Sequence, residues 1–187
     1  MAGAVNQHKG QASAALRLPL QRRLILADAS PLISLSLVDQ LPLLPALFGT
    51  VQVAPIVLQD VLTGKFDHGE SAIRSAMEAG WLVVCSAQPA NIPLLGLDPG
   101  ETESILQAYT LAQLGLSPVL LMDEKAGRAA ATELGLPCLG TAAIIGTAKQ
   151  LGLIPSAAQV LEQLYQTDFR ISKSIICAVL ASVGETL

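Results

Sequence analysis

From Leu24 onward the chain alternates short, unbroken apolar runs with longer segments whose apolar residues recur every three or four positions. The runs are LILA (24–27), VQVA (51–54), WLVVC (81–85), VLLM (119–122) and PCLG (137–140). Without strict polar alternation, they read as strands buried on both faces. The segments 31–47, 56–62, 70–79, 100–114 and 124–134 carry helical spacing, so strand and helix alternate. That order predicts an α/β fold, a parallel sheet with helices on both sides.

Boundary signals agree with this pattern. Ser30-Pro31 reads as an N-cap followed by proline at the first helical position. Asp98-Pro99-Gly100-Glu101 reads as a capping box, with a carboxylate three residues after the cap. ELGLP (133–137) and QLGLIP (150–155) read as helix ends, glycine in the left-handed position and proline soon after. The tail reads as two further helices joined at TDFRIS (167–172). With no repeat or low-complexity tract, 24–187 is expected to form one domain, preceded by a flexible extension over 1–23.

Composition changes the picture in two ways. The hydrophobic fraction is 51% and the mean hydropathy +0.53, which raises the question of a membrane span. Pro42, Pro45, Gly49 and Pro55 break one long uncharged stretch, and Gly115 with Pro118 breaks the other. A bilayer helix needs about 20 unpunctuated apolar residues, so neither stretch reads as a span. Charge is unevenly placed as well. Residues 1–27 hold no acid but carry Lys9, Arg17, Arg22 and Arg23. All 15 acids follow, against seven of the 11 Lys and Arg, which leaves the body near −8 although the whole chain is −4. So acidic a body excludes a non-specific nucleic-acid binder held by electrostatics alone. Action on nucleic acid would need metal ions or a few local cations. Cys85, Cys138 and Cys177 are far apart, and His8 and His68 stand alone, so neither a disulfide framework nor structural zinc is indicated. Reduced thiols in a cytoplasmic protein are the expectation.

Ligands of open parallel sheets bind beyond the carboxyl ends of the strands. Two acids fall there, Asp28 after LILA and Asp123 after VLLM. Glu101 opens the helix that leads into the second of these strands, and Asp60 follows Pro55 on the helix after VQVA. Carboxylates gathered at one sheet edge repel one another unless a divalent cation lies between them, and an all-oxygen set suits Mg²⁺ or Mn²⁺. Each acid also has a structural explanation: a turn acid at Asp28, a helix cap at Asp123, the capping box at Glu101 and a surface position at Asp60.

LILADASPLISLSLVDQLPLLPALFGTVQVAPIVLQDVL (24–62) resembles the opening of PIN-domain proteins, in the branch with a D-A-S-P-L-I signature. LDPGETESILQA, VLLMDEKAGRAAATELGLPCLGTAAIIGTAKQLGLIP and DFRISKSIICAVLASVGE resemble later parts of that branch in the same order, so the likeness spans 24–185. It implies a three-layer α/β/α sandwich around a central, mostly parallel sheet, and a metal-dependent nuclease site, usually acting on RNA. Many relatives, VapC-like ribonucleases among them, are toxins of toxin–antitoxin pairs. By the resemblance, Asp28, Glu101 and Asp123 are the metal ligands and catalytic acids, with Glu103 a helical neighbour of Glu101. Asp60 matches a further catalytic acid that is usually Glu, one methylene longer. Ser30 and Thr141 match the polar residues that orient a water. The implied mechanism is attack of a metal-activated water on an RNA phosphodiester. Lys125, Arg128, Arg170 and Lys173 are the cations best placed by sequence to meet the RNA backbone, and each reads equally as a solvated surface charge.

Other classes lack their residues. A receiver domain needs an acidic pair after its first strand and a lysine closing its own strand. A D-x-D phosphatase needs an acid where Ser30 stands, and neither a G-x-G-x-x-G turn nor a P-loop is present. The remaining alternative is a PIN-like module that binds RNA or protein without cleaving. The apolar segment IICAVLASV (175–183) adds the expectation of a homodimer or antitoxin face, against ordinary core helix.

Overall fold

The computed structural model describes residues 23–64, 67–167 and 169–186. Apart from Arg23, the expected N-terminal extension lies outside the described residues, as does Asp168 of the TDFRIS connection. The elements in chain order begin with strand β1 (Leu24–Ala27), helices α1 (Ala29–Leu37) and α2 (Leu43–Phe48), strand β2 (Val51–Val53) and helix α3 (Pro55–Val61). Next come α4 (Asp67–Glu78), β3 (Leu82–Val84), α5 (Pro99–Gln113), β4 (Pro118–Leu121) and α6 (Lys125–Glu133). The chain closes with β5 (Cys138–Leu139), α7 (Thr141–Gln150), α8 (Ala157–Tyr165) and α9 (Lys173–Ser182).

All five strands pair in parallel, in the order β3-β2-β1-β4-β5. β1 is central, with Ala27 opposite Val53 on one side and Leu121 on the other. Alternate residues of these strands enter different cores. Ile25, Ala27, Val119 and Leu121 join a large aliphatic cluster with residues of α1–α4 and α7–α9. Leu26, Leu120 and Met122 join a smaller one with Ile105, Ala108 and Ala131 of α5 and α6. Helices therefore cover both faces, and the three-layer α/β/α sandwich is the observed fold. Burial on both faces explains why the strands read as unbroken apolar runs.

Two boundaries differ from the sequence reading. The helix expected over 31–47 is two helices: α1 ends at Leu37, Asp39 has φ 54° and α2 follows Pro42. Proline cannot continue a helix, and Asp is among the few residues that tolerate the left-handed region. The Ser30 N-cap is also corrected. The extended cap position (φ −79°, ψ 172°) belongs to Asp28, and α1 begins at Ala29. Pro31 then sits third in the helix, still among the first four amides, which have no intrahelical acceptor. In the tail, α9 buries Ile176 and Leu180 and leaves Ile175 and Cys177 exposed. Among the described residues no helix is long and apolar enough to cross a membrane.

Candidate active site

The strand order reverses at β1, since β2 and β3 lie to one side and β4 and β5 to the other. The crevice outside the carboxyl ends of β1 and β4 is where ligands of such sheets bind. Asp28 leaves β1 directly into this crevice, its amide bonded to the Leu121 carbonyl at 2.9 Å. Although it holds the N-cap position, its side chain forms no cap hydrogen bond. It is 4% exposed, and burial pushes its pKa up to about 7. The negative charges of Asp98 and Glu101 add to that rise, while the Ala29 and Ser30 amides offset part of it.

Glu101 arrives from the first turn of α5. The expected capping box is formed: Asp98 Oδ1 accepts from the Glu101 amide (2.8 Å), and Glu101 Oε2 accepts from the Asp98 amide (3.2 Å). The box occupies only one carboxylate oxygen. Oε1 is buried without a well-formed hydrogen bond, and burial raises the pKa of this group too. Gly127 of α6 makes room for it, because a Cβ there would stand 2.5 Å from Met122 Sδ and 2.7 Å from Glu101 Oε1. Glu103 is turned elsewhere and accepts the Ile56 amide (3.0 Å) at the start of α3.

A cleft of about 370 Å³ opens beside Asp28, lined also by Ser30, Asp60, Asp98 and Glu124. Asp60 is exposed on its rim, and Ser30 Oγ is buried with no hydrogen-bond partner among the described residues. Asp98 and Glu124 were not singled out from sequence as site residues. The signals were present, Asp98 as the cap of a helix that starts at the sheet edge and Glu124 as the neighbour of Asp123.

Asp123 is drawn to the other side. It does not cap α6, whose N-cap position is Glu124. Its Oδ1 accepts from the Thr141 amide (2.8 Å) and its Oδ2 from the Thr141 hydroxyl (2.6 Å), so it binds the start of α7. Burial raises its pKa against the pull of these two bonds and of the Arg128 charge. The single Thr141 hydroxyl proton goes to Asp123, so in the 3.0 Å contact between Thr141 Oγ1 and Ser34 Oγ the serine is the donor, sharing its one proton with the Pro31 carbonyl at 3.3 Å. Ser34 and Thr141 are fully buried, and a chain Ser34–Thr141–Asp123 joins α1, α7 and the end of β4. Sequence reasoning missed Ser34; a serine on the buried face of an otherwise apolar helix was its only signal.

The crevice thus gathers Asp28, Glu101, Ser30 and Asp60 with Asp98, while Asp123 and Thr141 form an adjoining unit. Among the described residues no three acid, histidine or cysteine side chains stand ready to enclose a metal ion. The chemistry of the donors fits a hard divalent cation all the same. Buried carboxylates with raised pKa values, together with two orphaned oxygens, Glu101 Oε1 and Ser30 Oγ, are groups that a cation would satisfy.

Three comparisons bear on this chain. The family model described as a PIN domain matches residues 24–185. No curated protein matches significantly. Among solved structures, the chain is similar to a PilT N-terminus domain protein from the hyperthermophilic archaeon Sulfolobus solfataricus P2. The two are 14% identical with a TM-score of 0.40, over 80% of this chain and 99% of that one.

Proposed function

The chain belongs to the PIN-domain family, and from that premise we propose that it is a Mg²⁺- or Mn²⁺-dependent endoribonuclease. PIN domains are in general nucleases that use divalent metals, which sets the coarse class as hydrolase. The observation that carries the finer reading is the pair of orphaned oxygens, Glu101 Oε1 and Ser30 Oγ, beside the buried carboxyl of Asp28.

Asp28 and Glu101 would hold the metal from one side and Asp123 from the other. Mg²⁺ commonly takes one or two carboxylates and fills its shell with waters and substrate phosphate oxygens, so a site without a closed cage of three donors suits it. When bound, the metal lowers the pKa of a water and stabilises charge on the phosphate. The chain's residues do the rest. Asp123, pinned by two bonds from Thr141, presents its remaining lone pairs in a fixed direction. Ser30 Oγ, with no protein partner, is free to orient a water at the cleft. Asp60 on the rim supplies a further carboxylate, one that reaches less far than a glutamate.

The test is cleavage of a labelled RNA pool with Mg²⁺ or Mn²⁺, which Asp28→Asn should abolish. An intact pool with both metals, together with no heat of metal binding by calorimetry, would sink the proposal. The setting we infer is cytoplasmic, in keeping with three free thiols, with the activity that of a toxin held by an antitoxin. Expression in a bacterium should then slow growth, and unimpaired growth with an active enzyme would remove the toxin role.

A further inference from the structure

Two more depressions continue the crevice on the side away from Asp28. A groove of about 830 Å³ shares Ser30, Ile33 and Glu124 with the acidic cleft. It runs past Lys125 to Phe169 and Arg170 in the connection between α8 and α9. From there it meets a cavity of about 300 Å³ between α6, α7 and that connection, where Arg128 and Arg170 line the same space. The three form one trough with Asp123 on its middle wall.

Charge changes sign along the trough. Among the described residues the acidic cleft is lined by Asp28, Asp60, Asp98 and Glu124 and by no cation. Among the described residues the far cavity has two guanidiniums and one carboxylate, Asp123, whose oxygens both accept from Thr141. A body near −8 has few cations to place. Among the described residues Arg74 and Lys149 are committed to ion pairs with Glu70 and Glu185, and Lys173 lies 5.9 Å from the Tyr165 ring centroid. Arg128, Arg170 and Lys125 all stand on the trough. Two guanidiniums facing one cavity suit a phosphodiester, whose oxygens take paired N–H donors.

We infer that the cavity between Arg128 and Arg170 is a binding subsite for a backbone phosphate of the RNA next to the one cleaved at the acidic cleft. The inference rests on the ribonuclease reading and adds to it a fixed direction for the strand, from acidic cleft along the groove to the two arginines. It also explains how an acidic protein holds a polyanion: the metal offsets the acids at one end and the arginines grip the backbone at the other.

The test is fluorescence anisotropy of a short labelled RNA oligonucleotide, with Ca²⁺ in place of Mg²⁺, over a series of salt concentrations. Losing a charge-assisted contact should weaken binding about tenfold or more. Each lost contact should also lower the slope of log K against log salt by about 0.7. Arg170→Gln and Arg128→Gln should both show this. Arg74→Gln, the same charge removed from the Glu70 pair, should not. Because Arg128 also faces Asp123, Arg128→Lys serves as its control and should restore the slope. With Mg²⁺, Arg170→Gln should raise KM and leave kcat within about twofold, as loss of uniform binding does. If both glutamine variants keep the parent affinity and salt slope while the parent binds RNA, the subsite is wrong and the nuclease stands. If the parent neither binds nor cleaves RNA, the ribonuclease reading falls and the subsite with it.

Discussion

Asp28 should make the metal-free protein less stable as pH rises. The unfolded chain releases this proton near pH 3.8, whereas the folded chain keeps it to about pH 7, chiefly because the carboxyl is buried. Between those values the native state binds the extra proton, so the free energy of unfolding falls across the window and the whole loss stands above it. A difference of roughly three pKa units corresponds to about 4 kcal/mol, a large part of the stability of a single domain. Asn has the same shape and cannot ionise. Asp28→Asn should therefore match the parent below about pH 4 and exceed its stability by up to about 4 kcal/mol above about pH 7. Urea unfolding in EDTA at a series of pH values measures this directly, with the difference between the two proteins cancelling the titrating groups that do not interact with Asp28. Added Mg²⁺ should recover stability for the parent above pH 7, since a ligand that binds only the native state stabilises it, and should do little for the variant. Parallel stability curves for the two proteins would refute the argument, because they would mean that Asp28 is not desolvated in the native state.

Four further substitutions probe the rest of the site. Gly127→Ala drives a methyl against Met122 and Glu101, both buried, so it should cost about 1–3 kcal/mol in urea unfolding and weaken Mn²⁺ binding by calorimetry. Thr141→Val leaves Asp123 Oδ2 without its hydroxyl donor and should cost about 1–3 kcal/mol. Ser34→Ala acts on Asp123 only through that hydroxyl, so a double-mutant cycle with Thr141→Val should be non-additive by about 0.5 kcal/mol or more in unfolding; additive losses would mean that the two hydroxyls act separately. Asp60→Asn changes an exposed rim residue, so stability should stay within about 0.5 kcal/mol while RNA cleavage slows. An unchanged cleavage rate would remove Asp60 from the site.

The sheet was legible because burial on both faces leaves a mark that needs no partner to interpret: LILA and VLLM are apolar at every position. The capping box at Asp98 and Glu101 was legible because it closes within four residues. The misses are tertiary. Whether Asp123 caps α6 or binds α7 depends on where residue 141 comes to rest, 18 residues away in sequence. Ser34 reads as a polar lapse in an apolar helix until α7 is packed against it. The expected helix over 31–47 failed for a local reason, since apolar spacing continues through Pro42 although the backbone cannot. Serine is a common cap and proline a common first helical residue, but the helix begins at Ala29, two residues before Pro31, so the cap position falls on Asp28. The shift matters to function, since it leaves Ser30 Oγ without the amide it would otherwise bind.

The two acids that the sequence placed at strand ends are adjacent because of topology. Twenty-four residues separate Ala27 from Val51, and more than ninety separate Ala27 from Leu121, yet β1 pairs with both β2 and β4. The connection from β3 through α5 returns the chain to β4 beside β1, and the start of α5 brings Asp98 and Glu101 close enough to Asp28 for their charges to act on it. The gathering takes the carboxyls out of water, and burial is the chief reason that the pKa values of Asp28, Glu101 and Asp123 are raised, with neighbouring negative charge adding less. Folding stability alone would select against it, because each ionised carboxylate costs free energy that Asn or Gln would not. Of these three, Asp123 has both oxygens hydrogen-bonded to Thr141. Asp28 keeps a carboxyl 4% exposed, and Glu101 keeps Oε1 buried, where the proposed cation would relieve both.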